Sequence, residues 1–196
     1  IKIRGNLEAD RERLNQLSEV IGRNCGSNFK FTLDGNEQYQ DIQSFREHWE
    51  VFQNETALDD FWNGLLFVEQ PLHRKKALNL SVEKELSAWK NRPEIIIDES
   101  DAEISSLPEA LKYGYSGVSH KNCKSVIKGA LNAGLIADRK NRFPDKNWIL
   151  SSEDLANVGP VALTQDFAVA AALGITHSER NGHHYFAGLS MYPAEI

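Results

Sequence analysis

Three segments of this chain share one design, an apolar run that ends in a carboxylate. They are Phe29-Lys30-Phe31-Thr32-Leu33-Asp34, Leu65-Leu66-Phe67-Val68-Glu69 and Ile95-Ile96-Ile97-Asp98-Glu99. If these runs are neighbouring parallel strands, their acids gather at one end of the sheet. Like charges a few ångströms apart repel unless a cation lies between them. A hard divalent ion with oxygen ligands resolves this, and Mg²⁺ takes a few carboxylates and fills its octahedron with water or substrate oxygens. Asp34, Glu69 and Asp98 are therefore the expected metal ligands, with Mg²⁺ the expected ion and Mn²⁺ its alternative.

Cationic and imidazole groups complete the chemistry. Lys2 and Arg4 alternate on an apparent strand, so both side chains point the same way. Lys121 follows Val118-Ser119-His120 at another strand end, with Lys124 just beyond. A partly desolvated lysine near a metal can act as a base near neutral pH; a simple pairing of Lys121 with Glu99 is the plainer expectation, and the two are compatible. The segment Thr176-His177-Ser178-Glu179-Arg180-Asn181-Gly182-His183-His184-Tyr185 adds histidines suited to hydroxyl recognition or to protonating a leaving group. His177 is expected at a strand end, and Glu153, after Ser151-Ser152, is expected to face the same mouth.

Placing these residues requires short strands alternating with amphipathic helices. Strands are predicted at Ile1–Arg4, Phe29–Leu33, Leu65–Val68, Glu94–Ile97, Gly117–Ser119, Asn147–Leu150 and Ile175–His177. Helical periodicity links Leu14, Leu17, Val20 and Ile21, then Ile42, Phe45, Trp49 and Phe52, then Leu80, Leu86 and Trp89. It also links Val126, Ile127, Ala130 and Leu131, with Gly134 as a terminus, and it predicts a well-packed Ala-rich helix from Val161 to Leu173. This alternation predicts a parallel sheet with helices outside it. Asp34, Glu69 and Asp98 are 35 and 29 residues apart, near the roughly 31 residues per unit of a (β/α)₈ TIM-type barrel. No Gly-rich phosphate loop follows the first strand, against a dinucleotide-binding sheet. Seven units can be counted, so the expectation is one domain over residues 1–196 holding strands 2 to 8 of an incomplete barrel, a fragment of a longer protein.

Composition narrows the class. Of 196 residues, 41% are hydrophobic and 26% charged, enough for a real core. A net charge of −6 with scattered Lys and Arg argues against a nucleic-acid partner. No apolar run approaches the roughly 20 residues that span a bilayer, and no signal peptide is recognisable. Two cysteines, Cys25 and Cys123, without metal-ligand spacing fit a reducing cytoplasm.

In order, Lys2-x-Arg4, Leu33-Asp34-Gly35-Asn36, Val68-Glu69-Gln70-Pro71, Asp98-Glu99-Ser100 and Lys121-x-x-Lys124 resemble the enolase superfamily, and within it the mandelate racemase and muconate-lactonizing branch. The resemblance covers nearly the whole chain. It implies Mg²⁺ held by Asp34, Glu69 and Asp98, and a base that removes the proton α to a carboxylate, the resulting enediolate being stabilised electrostatically. Lys121 matches the acid/base and Lys2 the residue beside the substrate carboxylate. Asn36, Glu99, Glu153 and His183 are the expected substrate contacts. It also implies a capping domain that is absent from this sequence along with the first strand. Arg4 stands where the branch usually has a catalytic lysine, and Arg is a charge clamp and a poor base. The expected function is thus dehydration or isomerisation of a carboxylic acid or acid sugar by an enzyme that forms a homo-oligomer; the alternative is a barrel that kept its acids as a binding scaffold.

Overall fold

A computed structural model describes residues 1–26, 28–153, 161–179 and 193. The chain divides into two compact units, Ile1–Ser116 and Gly117–Ile196. Among the described residues no helix is long and apolar enough to cross a membrane.

In the first unit, β1 (Phe31–Asp34), β2 (Leu65–Glu69) and β3 (Ile95–Ile97) lie side by side in chain order, all parallel. The register pairs Asp34 with Glu69 and Glu69 with Ile96, so all three acids fall at the same end. Every residue of β3 is fully buried, as expected of a parallel strand covered on both faces. The expected strand at Ile1–Arg4 contracts to a single parallel bridge, Lys2 with Asp34.

Helices flank these strands. α1 (Leu7–Cys25) is capped by Asn6, whose side chain accepts from the Ala9 amide, and carries Glu8 and Asp10 in its first turn. α2 (Ile42–Gln53) is capped by Asp41 and buries Ile42, Phe45, Trp49 and Phe52, the stripe that its periodicity predicts. Two short helices, α3 (Asp59–Trp62) and α4 (Arg74–Ala77), escaped prediction because a single turn carries no periodicity. α5 (Leu80–Ala88) buries Val82 and Leu86. α6 (Ser106–Tyr113) was also not predicted; it is eight residues long with Pro108 in its first turn, where the missing N–H costs nothing.

In the second unit, β4 (Gly117–His120) and β5 (Ile149–Ser152) pair in parallel, His120 opposite Ser152. Two expectations are overturned on α7 (Val126–Arg142). It runs through Gly134, and its buried face is Lys128, Gly129, Asn132 and Ile136, whereas Val126, Ile127 and Leu131 are exposed. Close approach decides this: a Cβ on Gly129 would come within 2.4 Å of the His120 ring, so only the glycine face lets helix and strand meet. α8 (Val161–Ala172) forms where expected, but the well-packed helix expected there has no fully buried residue among those described. Ile175–His177 is not a strand; the pairing there is one parallel bridge, Glu153 with Glu179.

Gly35 and Gly22 separate two uses of glycine. A Cβ at Gly35 would lie 2.5 Å from the Pro71 Cα, whereas at Gly22, inside α1, it meets nothing within 4 Å. Gly35→Ala should cost about 3 kcal/mol by overpacking. Gly22→Ala should stabilise by about 0.5–1 kcal/mol. Urea denaturation of both variants checks the opposite signs.

Candidate active-site residues

In the first unit the predicted acids are buried together. Asp34, Glu69 and Asp98 are 3–4% exposed at the ends of β1, β2 and β3. Glu69 and Asp98 each offer a carboxylate oxygen within 4.8 Å of the other's. Asp34 does not complete a trio at that spacing. Its carboxylate pairs with the Lys2 ammonium and accepts from the Asn36 amide (2.8 Å) and the Asn36 side chain (3.2 Å). Two buried carboxylates this close, in a chain already net negative, fit a hard divalent cation, whose charge would offset their repulsion.

The strand-end loops are held by polar side chains that the sequence reading did not single out. Gln70, 1% exposed, has a left-handed φ of +32°. Its amide nitrogen donates to the Leu72 carbonyl (2.7 Å) and to Ser100 Oγ (2.8 Å). Its oxygen accepts from the Asp98 amide (2.8 Å) and the Ser100 amide (3.3 Å). One side chain thus ties the residue after Glu69 to the backbone of Asp98. The only sequence signal was its place directly after Glu69 and before Pro71.

Asn36 reaches both Asp34 and Glu99, the latter at 3.4 Å. Glu37 takes a bidentate contact from Arg74, at 2.8 and 2.7 Å. That guanidinium holds the Glu37 carboxyl below its ordinary range. Arg4 is exposed, and its backbone N–H bonds both oxygens of the buried Asp10, at 2.9 and 3.0 Å.

In the second unit Lys121 pairs with Glu153, their side chains 11% and 10% exposed. The residues on either side of Lys121 are fixed as well. His120 Nε2 lies 2.9 Å from Asn122 Oδ1, and Asn122 Nδ2 donates to Asp166 on α8 at 2.6 Å. His177 is half-buried in an irregular segment, not at a strand end as expected; among the described residues the local pairing falls at Glu179. Desolvation holds its imidazole below the usual histidine range. His183 lies outside the described residues. Cys25 and Cys123 are both free and exposed.

No family model matches the sequence, and no curated protein matches it. Three chains of solved structure do. One is a dipeptide epimerase from Methylococcus capsulatus, crystallised with Mg ion, with a TM-score of 0.63 and 20% identity. The match covers 95% of this chain and 48% of that one, so this chain spans about half the length of the structure it matches. At that identity the likeness is one of fold: an α/β chain with parallel strands, consistent with part of a TIM-type barrel.

Two predictions follow from this geometry. Gln70→Leu keeps the volume but strands the Asp98 and Ser100 amides and the Leu72 carbonyl, and should cost about 3 kcal/mol or more in denaturant unfolding. For His177, the unfolded imidazole takes a proton near its ordinary value of 6.5 while the folded one resists. Stability should therefore fall as pH drops from that value toward the folded pKa. His177→Gln should flatten that part of the stability curve between pH 7.5 and about 5.

Proposed function

We propose that this chain is part of a divalent-metal-dependent enzyme of the enolase superfamily that removes the proton α to a carboxyl or related carbonyl group. The carrying observation is the burial of Asp34, Glu69 and Asp98 at the same ends of three adjacent parallel strands. Glu69 and Asp98, with oxygens within 4.8 Å, are the strongest ligand pair. Asp34, already paired with Lys2, joins them at the strand ends. When bound, the cation supplies positive charge that makes the α-proton acidic enough to leave.

The chain's own groups divide the remaining work. Lys121, nearly buried and paired with Glu153, is the base, accepting the α-proton on Nζ. To accept it the amine must first be neutral. Lys2 and Arg4 neutralise the substrate carboxylate; Arg4 stays protonated and serves only as a clamp. Asn36, Glu99, Glu153, His177 and His183 are the proposed contacts for the rest of the substrate.

Two fates of the α-carbanion remain open to this machinery, and each has an observation behind it. Arg4 in place of a second basic lysine favours one-base elimination, a dehydratase. Likeness in fold to a dipeptide epimerase favours return of the proton, an isomerase acting on a dipeptide or similar acid. Retention of the acids by a non-catalytic scaffold is the reading that both would displace.

The intact protein, incubated in D₂O with Mg²⁺ and panels of dipeptides and acid sugars, should incorporate deuterium at an α-carbon. Inversion without loss of mass identifies an isomerase, and a dehydrated product a lyase; no exchange with any member leaves the scaffold. Glu69→Gln and Asp98→Asn should each weaken Mg²⁺ binding about tenfold or more by calorimetry, since each removes a ligand charge. Lys121→Ala should spare the metal and abolish exchange.

A further inference from the structure

Resting on the assignment of Lys121 as the base, we propose that Asp166 on α8 is a positioning residue for Lys121, acting through Asn122. The residues before and after Lys121 are joined to each other and then to the helix: His120 Nε2 to Asn122 Oδ1 at 2.9 Å, and Asn122 Nδ2 to Asp166 Oδ1 at 2.6 Å. The order of roles is dictated by charge. An ionised carboxylate only accepts, so Asn122 must turn its NH₂ toward Asp166 and its oxygen toward His120. His120 Nε2 is then the donor, which fixes the tautomer of a ring that is 5% exposed. On its other side that ring is closed in by the backbone of Gly129, where a Cβ would come within 2.4 Å.

Lys121 is therefore gripped from both neighbours, and its own backbone is extended at φ −134°, ψ 133°. Its carbonyl accepts from the Lys124 amide at 2.9 Å, and the Asn122 carbonyl accepts from the Ser125 amide at 3.1 Å. Without the Asp166 acceptor, the Asn122 amide loses its fixed orientation and the His120–Asn122 bond with it. Rotation of the 121–122 peptide would then carry the ammonium away from Glu153. A base displaced by about 1 Å loses on the order of a hundredfold in rate. Beside Asp166 lies a cavity of about 10 Å³, about one water in size, also lined by His120, Asn122 and Ser152. Ser152 Oγ there is buried and has no hydrogen-bond partner among the described residues. A substituted side chain at position 166 consequently has some room, and the change should be local.

The test compares Asp166→Leu, which removes the acceptor, with Asp166→Asn, which keeps an amide oxygen to accept from Asn122. In the intact protein, trace acetylation by acetic anhydride at fixed pH is mapped by peptide mass spectrometry. Asp166→Leu should raise labelling of Lys121 about threefold or more relative to Lys128 and Lys2, as the amine leaves its protected pairing. Asp166→Asn should stay close to the parent. Unchanged Lys121 labelling in the leucine variant, or an equal rise in both, overturns the proposal. If the leucine variant labels all lysines alike because it has unfolded, Asn122→Ala carries the same expectation and the same overturning result.

Exchange kinetics separate this proposal from the reading it rests on. With a substrate found in the D₂O panels, Asp166→Leu should lower kcat about tenfold or more while KM and Mg²⁺ affinity hold. A loss carried by KM instead overturns the positioning role. Exchange that survives Lys121→Ala sinks the base assignment, whereas the labelling comparison still reports on how Lys121 is held.

Discussion

Everything in the first unit turns on the cost of burying negative charge. Asp34, Glu69 and Asp98 are each almost inaccessible to water, and an isolated buried carboxylate is far too unfavourable to persist ionised. Lys2 and the Asn36 amide offset the charge of Asp34, whereas Glu69 and Asp98 bring carboxylate oxygens within 4.8 Å of each other, a repulsion that a divalent cation would relieve. A chain selected for stability alone would not place three acids in adjacent strand ends. The proposed chemistry rests on these three buried acids.

Holding those acids still falls to neutral polar groups and to close backbone packing. Gln70 accepts a strained φ because its amide satisfies two donors and two acceptors at once, three of them on the residues that follow β3. Gly35 lets the turn after Asp34 press against Pro71, a contact that any Cβ would forbid. Around Lys121 the same logic recurs in the second unit, where Gly129 admits the His120 ring and Asn122 anchors to Asp166. In each case a glycine permits the approach and an amide side chain exploits it.

The mispredicted elements have a common cause. α7 carries an apolar stripe at Val126, Ile127 and Leu131, yet buries Lys128, Gly129, Asn132 and Ile136. Periodicity located the helix, but the packing surface of β4 selected its face. α8 interrupts its apolar run with Thr164, Gln165 and Asp166 and so offers no clean apolar face, and none of its described residues is fully buried. The run at Ile175–His177 has strand-like composition, but strands exist only where a partner's amides and carbonyls are in register, and among the described residues the pairing there is the single bridge at Glu179.

Read alone, the sequence determined the strand–helix alternation, the three acid-terminated strands and the candidate base, because each is a local pattern: apolar runs of strand length, a carboxylate at each end, a lysine beyond a fourth. The helix over Ile42–Gln53 was legible down to its buried side chains. What tertiary structure decided were the partners. That Lys2 would meet Asp34, that Gln70 would bind the backbone of Asp98, that Lys121 would pair with Glu153 and be flanked by an anchor on α8 are contacts between residues 28 to 44 positions apart. Such contacts depend on register and on which face a helix turns inward, and no local pattern encodes either.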